Sequence, residues 1–166
     1  MRSTARSNSA AFPVSALLLA MATAVLLAAP AEAATPSVKD ALKLKPVQGN
    51  VPFDQPSEDE LARCTIKAEK IDGNTAWVVR GPAGQTLRQF ADANGDNVVD
   101  TWHYFQNGLE TYRDVDSDYN GKADHYRWYQ TAGSRWGVDK NEDGPIDSWQ
   151  ALSHEEDAAA VVADLA

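Results

Sequence analysis

Between residues 64 and 91 apolar and polar side chains alternate in short runs separated by turn residues. Cys64-Thr65-Ile66-Lys67-Ala68-Glu69 alternates at the strand period, Asp72-Gly73 turns the chain, and Trp77-Val78-Val79 is strand-like. Gly81-Pro82-Ala83-Gly84 turns it again, and Thr86-Leu87-Arg88-Gln89-Phe90 resumes the alternation. This pattern predicts a small antiparallel meander.

Beyond residue 91 the pattern repeats itself. Acidic stretches begin at Asp92, Asp116 and Asp139, and the first two run straight into aromatic, strand-like segments, Thr101 to Gln106 and His125 to Gln130. The third leads to Ser148-Trp149. A period near two dozen residues accommodates one loop and one hairpin. Asn107-Gly108 is the strongest short signal for a hairpin turn, with Leu109 to Asp114 as its return strand. Ala132-Gly133 is a weaker turn, with Arg135-Trp136 as a short return.

The flanks read differently. Residues 34–63 form an extended lead-in with little periodicity, except that Ser57-Glu58-Asp59-Glu60 has the form of a capping box and starts a short helix. Ser153-His154-Glu155-Glu156 is a second box, ahead of Ala158, Val161, Val162 and Leu165 on one helical face, which predicts a C-terminal helix over 153–166 docked on the meander. Residues 1–33 read as an export signal: Arg2 and Arg6 precede an apolar stretch from Ala16 to Ala29, and Ala31-Glu32-Ala33 fits a cleavage site. The fold expected is mainly β, a single domain over 64–150 of antiparallel hairpin repeats linked by acidic loops, with a short N-terminal helical turn and a C-terminal helix.

Charge and cysteine usage narrow the function. The formal net charge is −9, and removal of Arg2, Arg6 and Glu32 with the signal leaves it more negative, which argues against nucleic acid or an anionic membrane surface as partner. After signal cleavage no membrane insertion is expected. Cys64 is the only cysteine, so no internal disulfide can brace this exported chain; another staple or a real core is needed. Cys64 itself reads as a buried small hydrophobe.

The acidic loops offer that staple. Calcium takes 6 to 8 oxygens, and a loop supplies them when side chains at alternate positions curl inward. Positions 1, 3, 5 and 9 of the loops are Asp92, Asn94, Asp96 and Asp100; Asp116, Asp118, Asn120 and Asp124; and Asp139, Asn141, Asp143 and Asp147. Position 7 would add the backbone carbonyls of Val98, Lys122 and Pro145. Position 6, where the backbone must turn left-handed, holds Asn97, Gly121 and Gly144. Position 8 is apolar each time, Val99, Ala123 and Ile146, and is expected to point into the core. Asp and Asn also populate metal-free turns by capping their own backbone; three phased copies favour the ion.

The loops resemble those of the EF-hand and of dockerin and thrombospondin type-3 calcium repeats. Across residues 41–156 the chain is also similar to a family of secreted planctomycete proteins, through the segments ALKLKPVQ, CTIKAEK, WVVRGPAGQTLRQFADANGDNVVDTW, ETYRDVDSDYNGKADHYRW and SRWGVDKNEDGPIDSW. That resemblance implies the domain and its export and names no reaction; the chain reads as a short relative. Unlike in an EF-hand, position 12 holds His103, Arg127 and Gln150 in place of a bidentate Glu, and no helix pair flanks the loops. Static structural sites are therefore expected, with Glu110, Asp114 or Glu142 as additional ligands.

Ten of the fourteen aromatic residues lie between 102 and 149, which makes the rings the expected core of a domain poor in Leu and Ile. Alternation places Trp102, Tyr104, Tyr126, Trp128 and Trp149 on one face, with His103 and Arg127 opposite. Phe105, Tyr129 and Trp136 are left as a possible surface for a glycan or peptide. His103, His125 and His154 show no metal-ligand spacing, and the serines lack a nucleophile-elbow context, so no enzyme is expected; a glycosidase-like pair of carboxylates is the weakest alternative. The leading expectation is a calcium-binding, calcium-stabilised secreted or cell-surface module that contacts envelope proteins or glycans.

Overall fold

The structure, a computed structural model, describes residues 35–156; the export signal expected over 1–33 and residues 157–166 of the expected C-terminal helix lie outside the described residues. Among the described residues eight strands form in chain order: β1 (Thr65–Ile71), β2 (Asn74–Arg80), β3 (Thr86–Asp92), β4 (Thr101–Gln106), β5 (Leu109–Val115), β6 (His125–Gln130), β7 (Gly133–Val138) and β8 (Ser148–Leu152). Each pairs antiparallel with the next, so the sheet is one continuous meander from β1 to β8. The short turns demanded by the sequence enforce this order. Asn107 and Gly108 both have positive φ, 53° and 77°, the combination that a two-residue hairpin turn requires. The return strand after the second loop is longer than the expected Arg135-Trp136, because Gly133 already belongs to β7, where a Cβ would lie 2.1 Å from the Leu152 carbonyl oxygen of β8.

Strand register sorts the side chains into two faces. Phe90, Trp102, Asp114 and Tyr126 stand in one cross-strand row, and Arg88, Tyr104, Tyr112 and Trp128 in the next. On this face Tyr104, Tyr112 and Tyr126 are buried and form a cluster with Val51, Phe53, Trp128 and Ile146 at its edge. The rings therefore make the core here, as their alternation predicts. Trp149 is the exception: it lies on the edge strand β8 and is 48% exposed.

The lead-in closes the aromatic face. It contains a helix that the sequence reading missed, α1 (Val38–Lys43), followed by the expected α2 (Glu58–Leu61) with its Ser57 and Glu60 capping box. The signal for α1 was present in Ser37, whose side chain accepts from the Asp40 N–H at 3.1 Å, but six residues are too few for periodicity to register. Ala41 and Leu42 of α1 are buried against Val79, Leu87, Phe90 and Cys64. Two bulges help to grip this segment. Register shifts after Val79 and Tyr104 leave Leu87 and Thr111 as extra residues; Leu87 packs on α1, and the Thr111 hydroxyl donates to the Pro52 carbonyl at 2.7 Å.

Arg88 is fully buried under the lead-in with no carboxylate bonded to it. Its guanidinium lies 4.5 Å from the Phe53 ring centre and 5.2 Å from that of Tyr104, and donates to the carbonyls of Asp54 and Leu87 and to Gln55 Oε1. Burial lowers its pKa to about 10, which still leaves it charged at neutral pH. Cys64 is buried, and burial pushes its thiol above the ordinary range. Residues 154–156 are helical, and the Ser153 N–H donates to Glu156 Oε2 at 2.8 Å as the second capping box requires. Among the described residues no helix is long and apolar enough to cross a membrane.

Candidate metal centre

The meander puts all three acidic loops at one end of the sheet, because each connects the end of an odd-numbered strand to the start of the next even one. Neighbouring loops stand two strands apart, roughly 10 Å. They are also joined through the backbone. The Asp116 N–H donates to the Asp100 carbonyl at 2.8 Å and the Asp139 N–H to the Asp124 carbonyl at 2.9 Å, so position 9 of one loop carries position 1 of the next.

Inside the loops one hydrogen-bond frame recurs. The position 1 carboxylate accepts from the N–H of position 5: Asp96 to Asp92 at 3.2 Å, Asn120 to Asp116 at 3.1 Å, Asp143 to Asp139 at 3.3 Å. Its second oxygen accepts from position 6, namely Asn97, Gly121 and Gly144, at 2.9, 2.7 and 2.8 Å. The position 9 carboxylate reaches back across the loop to accept from position 2, with Ala93 donating to Asp100, Ser117 to Asp124 and Lys140 to Asp147. Positions 3 and 5 pair through an Asn amide and an Asp carboxylate at 3.1 Å in every loop.

Backbone conformation matches this frame. Position 6 is left-handed as expected, with φ of 70° at Asn97, 92° at Gly121 and 103° at Gly144. Position 4 is left-handed too, which the sequence reading missed because only Gly95 advertises it; Tyr119 and Glu142 adopt φ of 62° and 54° against their preference. Position 8 points inward as expected: Val99 packs on the cluster around Phe90, and Ala123 and Ile146 on the buried tyrosines. Asp100, Asp116 and Asp139 are almost completely buried, whereas positions 3 and 5 are exposed in all three loops. Burial pushes the Asp100 carboxyl up, and the N–H groups of Ala93 and Asn94 pull it back.

The donor set is all hard oxygen, three carboxylates and one amide per loop, which suits a hard divalent cation. Yet among the described residues no three His, Cys, Asp or Glu side chains converge on a common point that could hold a metal ion. The inner oxygens are turned to backbone N–H groups instead.

The three additional ligands expected beside the four per loop each have partners of their own. Glu142 spans loops two and three, accepting from the Asn120 amide and pairing with Lys122 Nζ at 3.2 Å. Asp114 is buried; it accepts from the Tyr112 hydroxyl and from the Val47 N–H at 3.1 Å. Burial raises its pKa to about 6 against the pull of those two donors.

Glu110 belongs to a polar cluster on the opposite face that the sequence reading did not assemble. Its Oε1 and Oε2 accept from Arg113 Nε and Nη2 at 2.9 and 3.1 Å, and Oε1 also meets His103 Nδ1 at 2.9 Å. His103 Nε2 lies 3.0 Å from the Thr101 hydroxyl. Burial, aided by Arg113, holds His103 below its ordinary pKa against the pull of Glu110. Burial pushes Glu110 up, but His103 and Arg113 outweigh it and bring its carboxyl to about 2. A neutral His103 contributes little charge, so the two-pronged Arg113 contact is what keeps Glu110 ionised. The only advance signal was the Asn107-Gly108 turn, which folds Glu110 back toward His103.

Phe105, Tyr129 and Trp136, expected as an exposed binding surface, are half-buried. Arg113 lies 5.5 Å from the Tyr129 ring centre and Arg127 3.7 Å from that of Trp136, so these rings pack against cations of their own face. Among the described residues the exposed rings are Tyr119, in the second loop, and Trp149. No protein-family model and no curated protein sequence matches the chain.

Proposed function

We propose that the three loops bind calcium and that the ions act as structural staples for an exported module of the cell surface, in keeping with the resemblance to secreted planctomycete proteins. Asp92, Asn94, Asp96 and Asp100 would hold one ion with the Val98 carbonyl, and Asp116, Asp118, Asn120 and Asp124 a second with that of Lys122. Asp139, Asn141, Asp143 and Asp147 would hold a third with the Pro145 carbonyl. The observation that carries this reading is the threefold recurrence of one frame, with position 1 anchored on the N–H groups of positions 5 and 6 and positions 3 and 5 left exposed. Metal-free turns need not repeat so closely. A row of carboxylates along one edge also repels itself, and a divalent counterion would relieve that repulsion.

Trp102 and Trp149 follow the last Asp of the first and third loops by two residues, close enough to sensitise a bound lanthanide. Terbium emission excited through tryptophan should appear on titration and be displaced by calcium in the range of roughly 10⁻⁴ to 10⁻³ M. Absence of any calcium-displaceable emission would leave the loops as acidic turns.

A further inference from the structure

We propose that Thr101, His103 and Glu110 work as nucleophile, base and orienting acid, and that this group hydrolyses small esters in a cavity on the face of the sheet opposite the lead-in. Thr101 and His103 project from the same side of β4, and the hairpin brings Glu110 of β5 against His103. The two contacts that define such a relay are both present: Thr101 Oγ1 to His103 Nε2 at 3.0 Å, and His103 Nδ1 to Glu110 Oε1 at 2.9 Å. With Glu110 ionised by Arg113, the Nδ1 proton is donated to Glu110, and Nε2 is left to accept from the threonine hydroxyl. Burial and Arg113 both favour neutral imidazole, the form that can take a proton.

The cluster faces a cavity of about 250 Å³, enough for a short acyl group. Ile71, Ala91 and Phe105 give it an apolar wall, and Asn74 and Gln89, the latter paired across from His103, line it with side-chain amides. In the first half-reaction the Thr101 oxygen attacks the ester carbonyl carbon and its proton passes to His103 Nε2. The C–O bond to the alcohol then breaks, and the leaving oxygen takes that proton. In the second, water attacks the acyl-threonine and gives His103 a proton, which returns to Thr101 as the carboxylic acid departs. The balance is ester and water to acid and alcohol, with no other reactant. Thr101 and His103 are the reacting groups; Glu110 is a positioning residue.

The test is p-nitrophenyl acetate turnover by the full chain, with peptide mass spectrometry of the acylated intermediate. Acetyl is expected on Thr101, and Thr101→Val, which removes only the hydroxyl, should lower turnover by about 100-fold or more. Thr101→Ser should keep turnover and guards against a mere folding defect. Glu110→Gln should lower kcat with KM retained in protein that still melts cooperatively. Turnover of Thr101→Val equal to wild type, or acetyl found only on surface lysines, overturns the proposal and leaves the cluster as a buried polar network.

Discussion

The aromatic face under the lead-in and the edge that carries the three loops are built from the same strands but held by opposite means. Under the lead-in, Phe53, Tyr104, Tyr112 and Trp128 contact one another in series, with ring centres 5.0 to 5.9 Å apart. Stability there comes from area removed from water, and the hydroxyl of Tyr112 finds a partner in Asp114. At the loop edge the side chains at positions 3 and 5 are exposed, and order comes from carboxylates that bind their own backbone. The first region should respond to packing changes and ignore the ionic content of the medium. The second should do the reverse.

Truncating the aromatic face is the strongest challenge. Tyr112→Ala should cost about 3 to 5 kcal/mol by denaturant unfolding, and by the same amount with calcium or with chelator. A cost that changes with calcium would show that the two regions are one energetic unit. The complementary challenge is to the loops: calcium at a hundredfold over its dissociation constant should add about 2.7 kcal/mol for each site, seen as a raised melting temperature. Asp139→Asn should remove about one site's worth of that gain and leave the other two. No gain in wild type would reduce the loop edge to acidic turns.

A third measurement concerns the polar cluster on the other face of the sheet. Glu110 has a folded pKa of about 2, below its ordinary value of 4.5, so its ionised form stabilises the fold. That contribution is fully present above the unfolded value and is lost as pH falls through the folded one. The stability difference between wild type and Glu110→Gln should therefore be full above pH 4.5, about 1.5 to 3 kcal/mol as for hydrogen bonds to a charged group, and shrink as pH falls below it. A constant difference across that window would mean that Glu110 acts through shape alone. The smallest effect is expected at Gly121, where a Cβ would meet nothing within 4 Å but φ is 92°. Gly121→Ala should cost about 1 to 2 kcal/mol from backbone conformation only.

Local rules made several of these features legible in advance. Alternation located β1 and β3, the run Trp77-Val78-Val79 marked β2, and the Asn107-Gly108 pair located the turn between β4 and β5. The spacing of Asp and Asn identified the frame of each loop down to the left-handed residue at position 6. The inward residue at position 8 followed from the same spacing. The helix α1 escaped notice because its only local mark is one capping serine, and position 4 did so because Tyr119 and Glu142 show no preference for the conformation they adopt. Phe105, Tyr129 and Trp136 are more covered than expected because alternation says which face a ring takes and nothing about what packs there.

Sequence by itself determined the strands, their turns and the recurrence of the loops, since each depends on interactions between residues close along the chain. Only the tertiary structure decided that α1 closes the aromatic face, that Arg88 is buried among rings, and that Asp116 hangs from the Asp100 carbonyl. It alone brought Thr101 and Glu110 to the two ring nitrogens of His103. Those contacts join residues whose proximity is set by register and bulges, and a shift of one residue would have sent every side chain to the other face.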